Sequence, residues 1–388
     1  MSFYMTKHNK AHILYLTRWY PTAADPMLGL FVKKHALAAT AAGYRVTVVY
    51  VTYLPHPEGK RQEIHTEGLL TEYIYHLTKP AAGTGIVQQL LTWEKAMRTV
   101  AHRQGKPELI HAHVLTRHGF LAWWLGAGWH IPFLVTEHWS RYYPENFQFN
   151  GAIRTQLTRY VLKKAAAVTV VSHRLADAMR TLNLKFNPKI LPNVVDTSIF
   201  KPLAGKQQSK TIVSITCFDE KSKNLDLLLR VFKRLLQHFP DFKLQLIGDG
   251  VDLDWTRQRA EFLGLKDKVV FSGTLQGEEL GRALAGAACL AVSSNYETFA
   301  IVAFEALSCG TPVVATNVAD LASHIKPEWG AIVPPGDENA YLEELIRIIQ
   351  KPQWPVDDMH KYVKTNFSEI AVSGILDDLY RNILKNKS

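Results

Sequence analysis

The stretch NYETFAIVAFEALSCGTPVVAT, residues 295–316, decides the fold class of this 388-residue chain. The apolar run CLAVSS ends just before it and PVVAT closes it, and both runs have the composition of buried strands. Between them, FAIVAFEALS has the length and residue types of a buried helix. A strand, a helix and a second strand in this order predict a βαβ unit, and therefore a parallel sheet covered by helices.

Two glutamates give this unit its chemistry. Glu297 follows the first strand, and Glu305 lies inside the apolar helix. If the run between them is helical, the carboxylates are roughly 12 Å apart along the axis, and each can accept hydrogen bonds from vicinal hydroxyls. The simpler alternative is two solvated side chains, but a carboxylate without a partner is costly in an apolar run. The spacing of the pair suits a nucleotide sugar, with one carboxylate on the hexose and one on the ribose.

The predicted helix start between the glutamates adds a site for the diphosphate. Free backbone N–H groups and the positive end of the helix dipole are expected there. The residues concerned are Thr298, Phe299, Ala300 and Ile301.

The rest of the chain repeats this rhythm in two halves. Strands are predicted near 12–17, 44–51, 108–113, 132–137, 167–171 and 188–191, and again near 211–216, 242–247, 268–272, 289–293 and 312–316. Residues 191–209 have no period and contain two prolines, which indicates a linker. We expect two Rossmann-like domains, residues 1–195 and 196–366, facing across a cleft that holds the ligand. Residues 367–388 are predicted to form a helix that packs back on the first domain.

Composition narrows the functional class. Residues 1–195 carry 23 basic and 10 acidic side chains, a net charge of +13, whereas the remainder carries 22 and 25, a net charge of −3. The first half is therefore expected to face an anionic partner. Three distant cysteines and no visible secretory signal favour a reducing cytoplasm. The apolar stretch 119–135 is broken by His130 and Pro132, and we interpret it as a helix running into a buried strand rather than a membrane span.

The string 295–316 resembles the E-x7-E motif of retaining glycosyltransferases of family 4, the large group that includes sucrose synthase. LPNVVDTSIFKP resembles the interdomain signature of that family, with Val194 in place of the usual glycine. LIGDG and VVFSGTL resemble its second-domain strand ends, and WYPTAADPMLGLFVKKHALAA, IHAHV and FLVTEHW resemble its first-domain segments. The resemblance covers nearly the whole chain and implies the two-domain GT-B fold.

The resemblance also assigns roles to single residues. It implies that Glu297 holds the transferred sugar and Glu305 the ribose, that Lys223 stabilises the leaving diphosphate, and that His138 approaches the sugar. Gly29 is expected to allow close backbone approach to a phosphate, with a simple turn as the alternative. Whether Glu137 orients His138 or pairs with Arg141 is open.

The chain departs from the family pattern at two places. Where the family carries an arginine for the diphosphate, this sequence has Cys217 or Phe218, and Lys221 is the candidate substitute. Where the family often carries a Gly-Gly pair, this chain has Ala319 and Asp320, and an added acid there is expected to alter donor choice.

Two other motifs are rejected as sites. Asp252 and Asp254 form a D-x-D string, but they open a predicted helix, where acidic residues favour the dipole. His111 and His113 lack a nearby cysteine or carboxylate, so no metal site is expected. The reaction is expected to need no metal or other cofactor.

Basic residues recur along two predicted helices of the first half. They are Lys95, Arg98, Arg103 and Lys106 on one helix and Arg154, Arg159, Lys163 and Lys164 on the other, with Trp93 and Tyr160 interspersed. These faces suit a lipid-linked acceptor at an anionic membrane, although solvated helix faces are the alternative. No nucleic-acid motif accompanies them, so we expect no nucleic-acid partner.

The sequence thus predicts a retaining hexosyltransferase. It would move a hexose from a UDP- or GDP-sugar to a glycan or lipid-linked acceptor in bacterial-type cell-surface polysaccharide or lipopolysaccharide synthesis, in the cytoplasm or at its membrane surface. Two alternatives remain open: a nucleotide-sugar 2-epimerase of similar fold, and a catalytically silent nucleotide-sugar-binding protein.

Overall fold

The structure, a computed structural model, describes residues 10–53, 62–78, 85–203, 209–351 and 353–385. Two α/β sheets follow each other along the chain, one of eight strands and one of six, which confirms the predicted fold class. Six parts of the predicted domain map lie outside the described residues: 1–9, 54–61, 79–84, the linker residues 204–208, residue 352, and 386–388 at the end of the last predicted helix.

The first sheet is built around continuous apolar strands, as parallel sheets covered on both faces require. Its strands are β1 (Lys10–Thr17), β2 (Tyr44–Tyr53), β3 (Gln62–Glu67), β4 (Leu70–Leu77), β5 (Leu109–His113), β6 (Phe133–Glu137), β7 (Ala167–Val170) and β8 (Pro188–Ile190). The strand order is β3-β4-β2-β1-β5-β6-β7-β8, and only β3 pairs antiparallel. The helices are α1 (Leu30–Ala41), α2 (Gly85–Gln104), α3 (Phe120–Trp129), α4 (Ala152–Lys164) and α5 (His173–Thr181).

Most of the predicted elements of this half are confirmed, including the helix-to-strand interpretation of 119–135, which forms α3 and β6. The hairpin of β3 and β4 is absent from the prediction. Its outer strand has the polar sequence QEIHTE and is mostly exposed, so it lacks the apolar signal of a core strand.

The second sheet has the doubly wound order that places a ligand at its centre. Its strands are β9 (Thr211–Ile215), β10 (Lys243–Ile247), β11 (Val269–Phe271), β12 (Cys289–Val292), β13 (Val313–Thr316) and β14 (Gly330–Val333), and all are parallel. The order β11-β10-β9-β12-β13-β14 reverses direction between β9 and β12, and crevices for ligands form at such a switch point.

Helices cover both faces of this sheet. They are α6 (Glu220–Lys223), α7 (Leu225–Leu235), α8 (Leu253–Phe262), α9 (Gly277–Ala285), α10 (Ile301–Ser308), α11 (Leu321–His324), α12 (Glu338–Gln350) and α13 (Val356–Phe367). The strands predicted for this half lack β14, and α6 and α7 are two separate helices. The αL residue Asn224 separates these two helices and caps α7 through its side chain, 3.4 Å from the Leu227 nitrogen.

The last helix, α14 (Glu369–Lys385), packs against α1 on the first domain. Its Tyr380 hydroxyl lies 2.6 Å from that of Tyr15 and 2.7 Å from Nδ1 of His111, inside the first core. Asp377 accepts from Lys10 and Tyr44 at its exposed end. In the described ranges, no helix combines the length and the apolarity needed to cross a bilayer.

Candidate active site

The centre of the candidate site lies where the loops after β9, β10 and β12 meet. Gly248 and Gly250 let these loops touch, since a Cβ at either position would lie 1.8 Å from the Thr216 carbonyl oxygen or 1.6 Å from that of Cys217. Any larger residue would therefore push the loop after β10 away from the loop after β9.

Hydrogen bonds join the loop after β9 to the loop after β12. The Asn295 backbone N–H donates to the Ser222 carbonyl at 2.8 Å, and its side-chain amide donates to the Lys221 carbonyl at 3.0 Å. The Ser293 hydroxyl donates to the Lys223 carbonyl at 2.7 Å. These bonds fix two segments that are about 70 residues apart in sequence, and they bring the predicted lysine and glutamate together.

Lys223 and Glu297 form an ion pair, and the Ser294 hydroxyl donates to the same carboxylate oxygen at 2.9 Å. Their side chains are 19% and 17% exposed, so the pair is shielded from water but still reachable. Burial by itself lowers the pKa of Lys223, but the Glu297 carboxylate and the nearby Cys217 outweigh it and raise the pKa above its usual value. Lys223 is therefore a persistent cation.

The helix start after Glu297 differs from the prediction in one respect. α10 begins at Ile301, and Ala300 precedes it with a left-handed φ of 58°. The segment from Glu297 to Ala300 is not helical, so the axial spacing expected for a continuous helix does not apply. Thr298 is half-buried beside Glu297, and Phe299 is buried in the core, where its ring stacks on that of Phe304 at 4.9 Å.

Glu305 is buried at 6% exposure and faces the other domain. Its nearest cation is Lys34 of α1, with Nζ 3.7 Å from the carboxylate. Burial raises the pKa of Glu305, and the Lys34 ammonium opposes that shift. The two carboxylates of the motif thus contact lysines from different domains, Glu297 within its own domain and Glu305 across the cleft.

His138 directly follows β6 on the first-domain side. It is 6% exposed, its Nε2 lies 3.1 Å from Nδ1 of His113, and its ring lies 4.4 Å from that of Phe31. Burial, followed by the neighbouring His35 and His111, holds the pKa of His138 well below its usual value, so it is neutral near pH 7. Its Nδ1 is buried without a hydrogen-bond partner among the described residues, which leaves that atom for a ligand.

The question about Glu137 is resolved by its contacts. Its oxygens accept from the backbone N–H groups of Leu115, His138 and Trp139 at 2.8–3.0 Å, and from the Tyr142 hydroxyl at 2.9 Å. It neither binds the His138 ring nor pairs with Arg141 within 4 Å. Glu137 is a fully buried brace for the loop after β6.

One group of side chains in the described residues has the geometry to hold a metal ion. His35, His113 and His138 are buried and each offers a ring nitrogen within 4.8 Å of the others. His35 donates from Nε2 to the Pro192 carbonyl oxygen at 2.9 Å, and its Nδ1 has no hydrogen-bond partner among the described residues. The trio includes His113 from the pair considered in the sequence, but His35 and His138 come from distant segments.

Four further predicted residues have defined structural surroundings. Gly29 has a φ of +67°, and a Cβ there would lie 2.2 Å from the Trp19 carbonyl oxygen, so packing alone requires glycine. Phe218 is wholly buried, whereas Cys217 is exposed. Neither supplies a cation at the arginine position. Lys221 reaches across the cleft, with Nζ 3.3 Å from the Asn146 amide oxygen of the first domain.

Asp320 has a role that its sequence position does not reveal. It precedes α11 without capping it, and instead accepts from the first backbone N–H groups of α5, at His173 and Arg174, within 2.9 Å. Arg174 also donates to the Asn317 carbonyl at 2.7 Å. The acid expected to alter donor choice therefore clasps the two domains together. Lys34 and Asn146 are cleft residues that only the fold identifies.

Comparisons with known proteins agree with this architecture. Residues 31–193 match the family model described as Glycosyl transferase 4-like domain, and residues 195–367 match the one described as Glycosyl transferases group 1.

Among individual proteins, the MMP alpha-(1->4)-mannosyltransferase of Mycolicibacterium hassiacum is 26% identical over 320 residues, which is 77% of this chain and 74% of that protein. The alpha-monoglucosyldiacylglycerol synthase of Streptococcus pneumoniae is 23% identical over 63% of this chain, which spans 60% of that relative.

Solved structures share the fold. Sucrose-phosphate synthase of Thermosynechococcus elongatus superposes with a TM-score of 0.78 at 22% identity, over 97% of this chain and all of that one. Anabaena HepE in complex with UDP and glucose has a TM-score of 0.73 at 15% identity, over 96% of this chain and 100% of that one. At these identities the likeness shows the two-domain GT-B fold and no more.

Proposed function

Because this chain belongs to the group 1 glycosyltransferases, we propose that it transfers a hexose from a nucleoside diphosphate sugar to a glycan or lipid-linked acceptor, with retention at the anomeric carbon. The observation that carries the proposal is the Lys223–Glu297 pair at the switch point of the second sheet. A carboxylate for sugar hydroxyls and a cation for the departing diphosphate lie side by side there.

Each residue has a step in this mechanism. Glu297 accepts hydrogen bonds from the hexose, Glu305 from the ribose, and Lys223 stabilises the charge that grows on the diphosphate as the glycosidic bond breaks. Lys221 stands in for the absent arginine, as a single point charge. Neutral His138 contacts a sugar hydroxyl through Nδ1, and the acceptor attacks from the face that the diphosphate leaves.

We propose that no metal takes part in this transfer, since Lys223 and the N–H groups at the start of α10 can stabilise the diphosphate. In this scheme the three histidines do not bind a metal, and His138 contacts the transferred sugar. Activity that survives exhaustive chelation supports this, and activity restored only by a divalent cation contradicts it.

The test is incubation of the purified protein with UDP- and GDP-hexoses, with and without candidate acceptors, followed by NMR. Slow nucleotide release that an acceptor accelerates, with the donor's anomeric configuration kept in the product, supports the proposal. Conversion of the sugar without nucleotide release supports the epimerase instead. Binding without any turnover supports the silent binding protein.

We further propose that the first domain contacts an anionic membrane through α4, as suits a lipid-linked acceptor of cell-surface polysaccharide synthesis. Ile153 is 87% exposed on this helix and Tyr160 is 38% exposed, among the basic residues Arg159, Lys163 and Lys164. Trp93, by contrast, is buried in the core at 5% exposure, so the expected aromatic side chain on α2 is not on the surface.

Vesicle sedimentation tests this contact. Binding to phosphatidylglycerol vesicles but not to phosphatidylcholine vesicles is expected, and Ile153→Glu should weaken it. Ile370→Glu is the matched control, because Ile370 is 80% exposed on α14. Equal loss in both variants, or no binding by the wild type, contradicts the proposal.

A further inference from the structure

Four arginines line one cavity at the carboxyl ends of β1, β5 and β6, on the first-domain side of the cleft. The cavity has a volume of about 180 Å³. Its lining comprises Arg18, Val114, Arg117, His118, Trp139, Arg141 and Arg154. Trp139 directly follows His138, so the cavity adjoins the residue proposed to contact the transferred sugar.

The arginines of this cavity lack paired carboxylates. Among the described residues, none of the four forms an ion pair within 4 Å. The oxygens of the nearby Glu137 accept hydrogen bonds from the N–H and hydroxyl donors described above. Arg141 is buried at 6% exposure, yet its Nε has no hydrogen-bond partner, and the same holds for Nε of Arg18. Buried donors of this kind are normally satisfied, so they indicate a ligand that is an acceptor.

The positive charges of this cavity also act on one another. Burial lowers the pKa of Arg18, and Arg117 lowers it further. Burial also lowers the pKa of Arg141, where Glu137 and Tyr142 oppose the shift and the other arginines, Arg154 and Arg18, add to it. Burial and the charges of Arg18 and Arg117 lower the pKa of His118 to about 3, so the imidazole stays neutral. A bound anion would relieve this repulsion.

The walls of the cavity are held in place. Trp139 contacts two guanidiniums, with Arg141 3.2 Å and Arg18 4.8 Å from its ring centroid. Val114 has a left-handed φ of 76°, which is strained for a β-branched residue, and the π-helical turn Leu115–Gly119 that follows carries Arg117 and His118 into the lining. Rigid forks of this kind suit the bidentate binding of phosphate oxygens.

We infer that the arginine cavity binds a phosphate group of the acceptor, so that the acceptor of this enzyme is a phosphorylated sugar, polyol or lipid. This inference rests on the proposed transfer reaction and names its acceptor class. Lys223 serves the donor's diphosphate from the opposite domain, and the cavity holds a separate anion on the acceptor side of His138.

The first arm of the test measures binding of inorganic phosphate and methyl phosphate to the full chain by calorimetry at low ionic strength. Arg117→Gln is the main variant, since Arg117 is exposed and its loss should not disturb folding. Arg98→Gln is the matched control, an exposed arginine on α2 outside the cavity. We expect the affinity to fall about tenfold or more in Arg117→Gln and Arg18→Gln, as for loss of a charge-assisted hydrogen bond, and to stay unchanged in Arg98→Gln.

The second arm measures turnover with paired acceptors that differ only in a phosphate monoester. Arg117→Gln should raise the KM of the phosphorylated acceptor by about tenfold, while donor hydrolysis without acceptor stays at the wild-type rate. Glycerol phosphate and phosphatidylglycerol vesicles, used in parallel, separate a soluble phosphate ester from a lipid headgroup: whichever is bound with Arg117 dependence is the source.

Three outcomes overturn the inference: no phosphate binding by the wild type, equal binding by Arg117→Gln, or phosphate that competes with the donor instead of the acceptor. Failure of the proposed function is a different result, namely that no nucleotide is released from any donor. In that case phosphate binding that depends on Arg117 would still mark an anion site, but not an acceptor site, and the inference as stated would be wrong.

Discussion

The two sides of the cleft handle charge in opposite ways. On the second-domain side, Lys223 is paired with Glu297, and the loops that carry them are joined by hydrogen bonds. On the first-domain side, Arg18 and Arg141 have no paired carboxylate within the described residues, and His138 is neutral. A site that holds both hydroxyls and a diphosphate needs both signs of charge, whereas a site with one sign awaits an anion. In the function proposed above, the second domain binds the donor and the first binds an anionic acceptor, and this contrast is consistent with that division.

On the second-domain side, where the charges are paired, replacement of Glu297 is expected to have the largest effect on turnover. In Glu297→Ala the hexose loses its carboxylate and Lys223 loses its partner, so turnover should fall by about 10²–10³-fold, the range seen when one preorganised polar group is removed. Nucleotide release under saturating donor measures this. Glu343→Ala, an exposed glutamate on α12, is the control, and an unchanged rate in Glu297→Ala would remove this residue from the site.

Because the buried histidines of the first domain are uncharged, the folded protein is expected to lose stability at acidic pH. Burial and the nearby Arg45 lower the pKa of His12 to about 4, although its bond to the Gly105 carbonyl opposes them. Between pH 6.5 and 4 the unfolded chain binds a proton that the folded chain does not, so stability is lost as the pH falls through this window. At pH 5, protonation of His12 in the unfolded chain lowers the free energy of unfolding by about 2 kcal/mol.

Urea unfolding at pH 7.5 and pH 5 checks this prediction. His12→Gln should reduce the difference between the two free energies of unfolding by about 2 kcal/mol. His130→Gln, at an exposed position, separates loss of a buried imidazole from loss of any imidazole. If the free energy of unfolding changes equally between the two pH values in the wild type and in His12→Gln, the folded protein protonates His12 without loss of stability, and the prediction is wrong.

Glu305 sharpens the comparison, because its carboxylate contacts the first domain through Lys34. Glu305→Gln keeps an acceptor for the ribose but removes the charge, and a charged hydrogen bond exceeds a neutral one by about 1–1.5 kcal/mol. The KM for the donor should therefore rise about tenfold with kcat little changed. Steady-state kinetics with varied donor concentration measures both constants. A fall in kcat with an unchanged KM would contradict the proposed binding of the ribose by Glu305.

Asp320 tests how much the clasp between the domains matters. Asp320→Ala leaves two N–H groups of α5 without their acceptor, a loss of about 0.5–2 kcal/mol for a helix cap, and should raise the donor KM a few-fold by favouring an open cleft. Small-angle scattering should show a larger radius of gyration. Asp337→Ala is the matched control, because Asp337 caps α12 within the second domain, 3.0 Å from the Ala340 nitrogen. The same expansion in both variants would mean that the clasp does not control closure.

The donor side was the easier one to predict, and its residues show why. Glu297 and Glu305 lie in one short string, and the βαβ pattern around them fixes which end of the sheet they occupy. The spacing along a helix was wrong, because a left-handed Ala300 delays α10 until Ile301. The left-handed conformation of Ala300 cannot be predicted from the local sequence, because it depends on packing against residues that are distant in the chain.

By itself, the sequence determined the α/β class, the order of the two sheets and the family, because hydrophobic period and local strings report local structure. Only the tertiary structure decided which charges are paired. Lys223 meets Glu297, Lys34 meets Glu305, Asp320 caps a helix of the other domain, and Arg18, Arg117 and Arg141 converge on one cavity. These residues are far apart in the chain, and charge interactions depend on distance and burial, which a linear pattern does not contain.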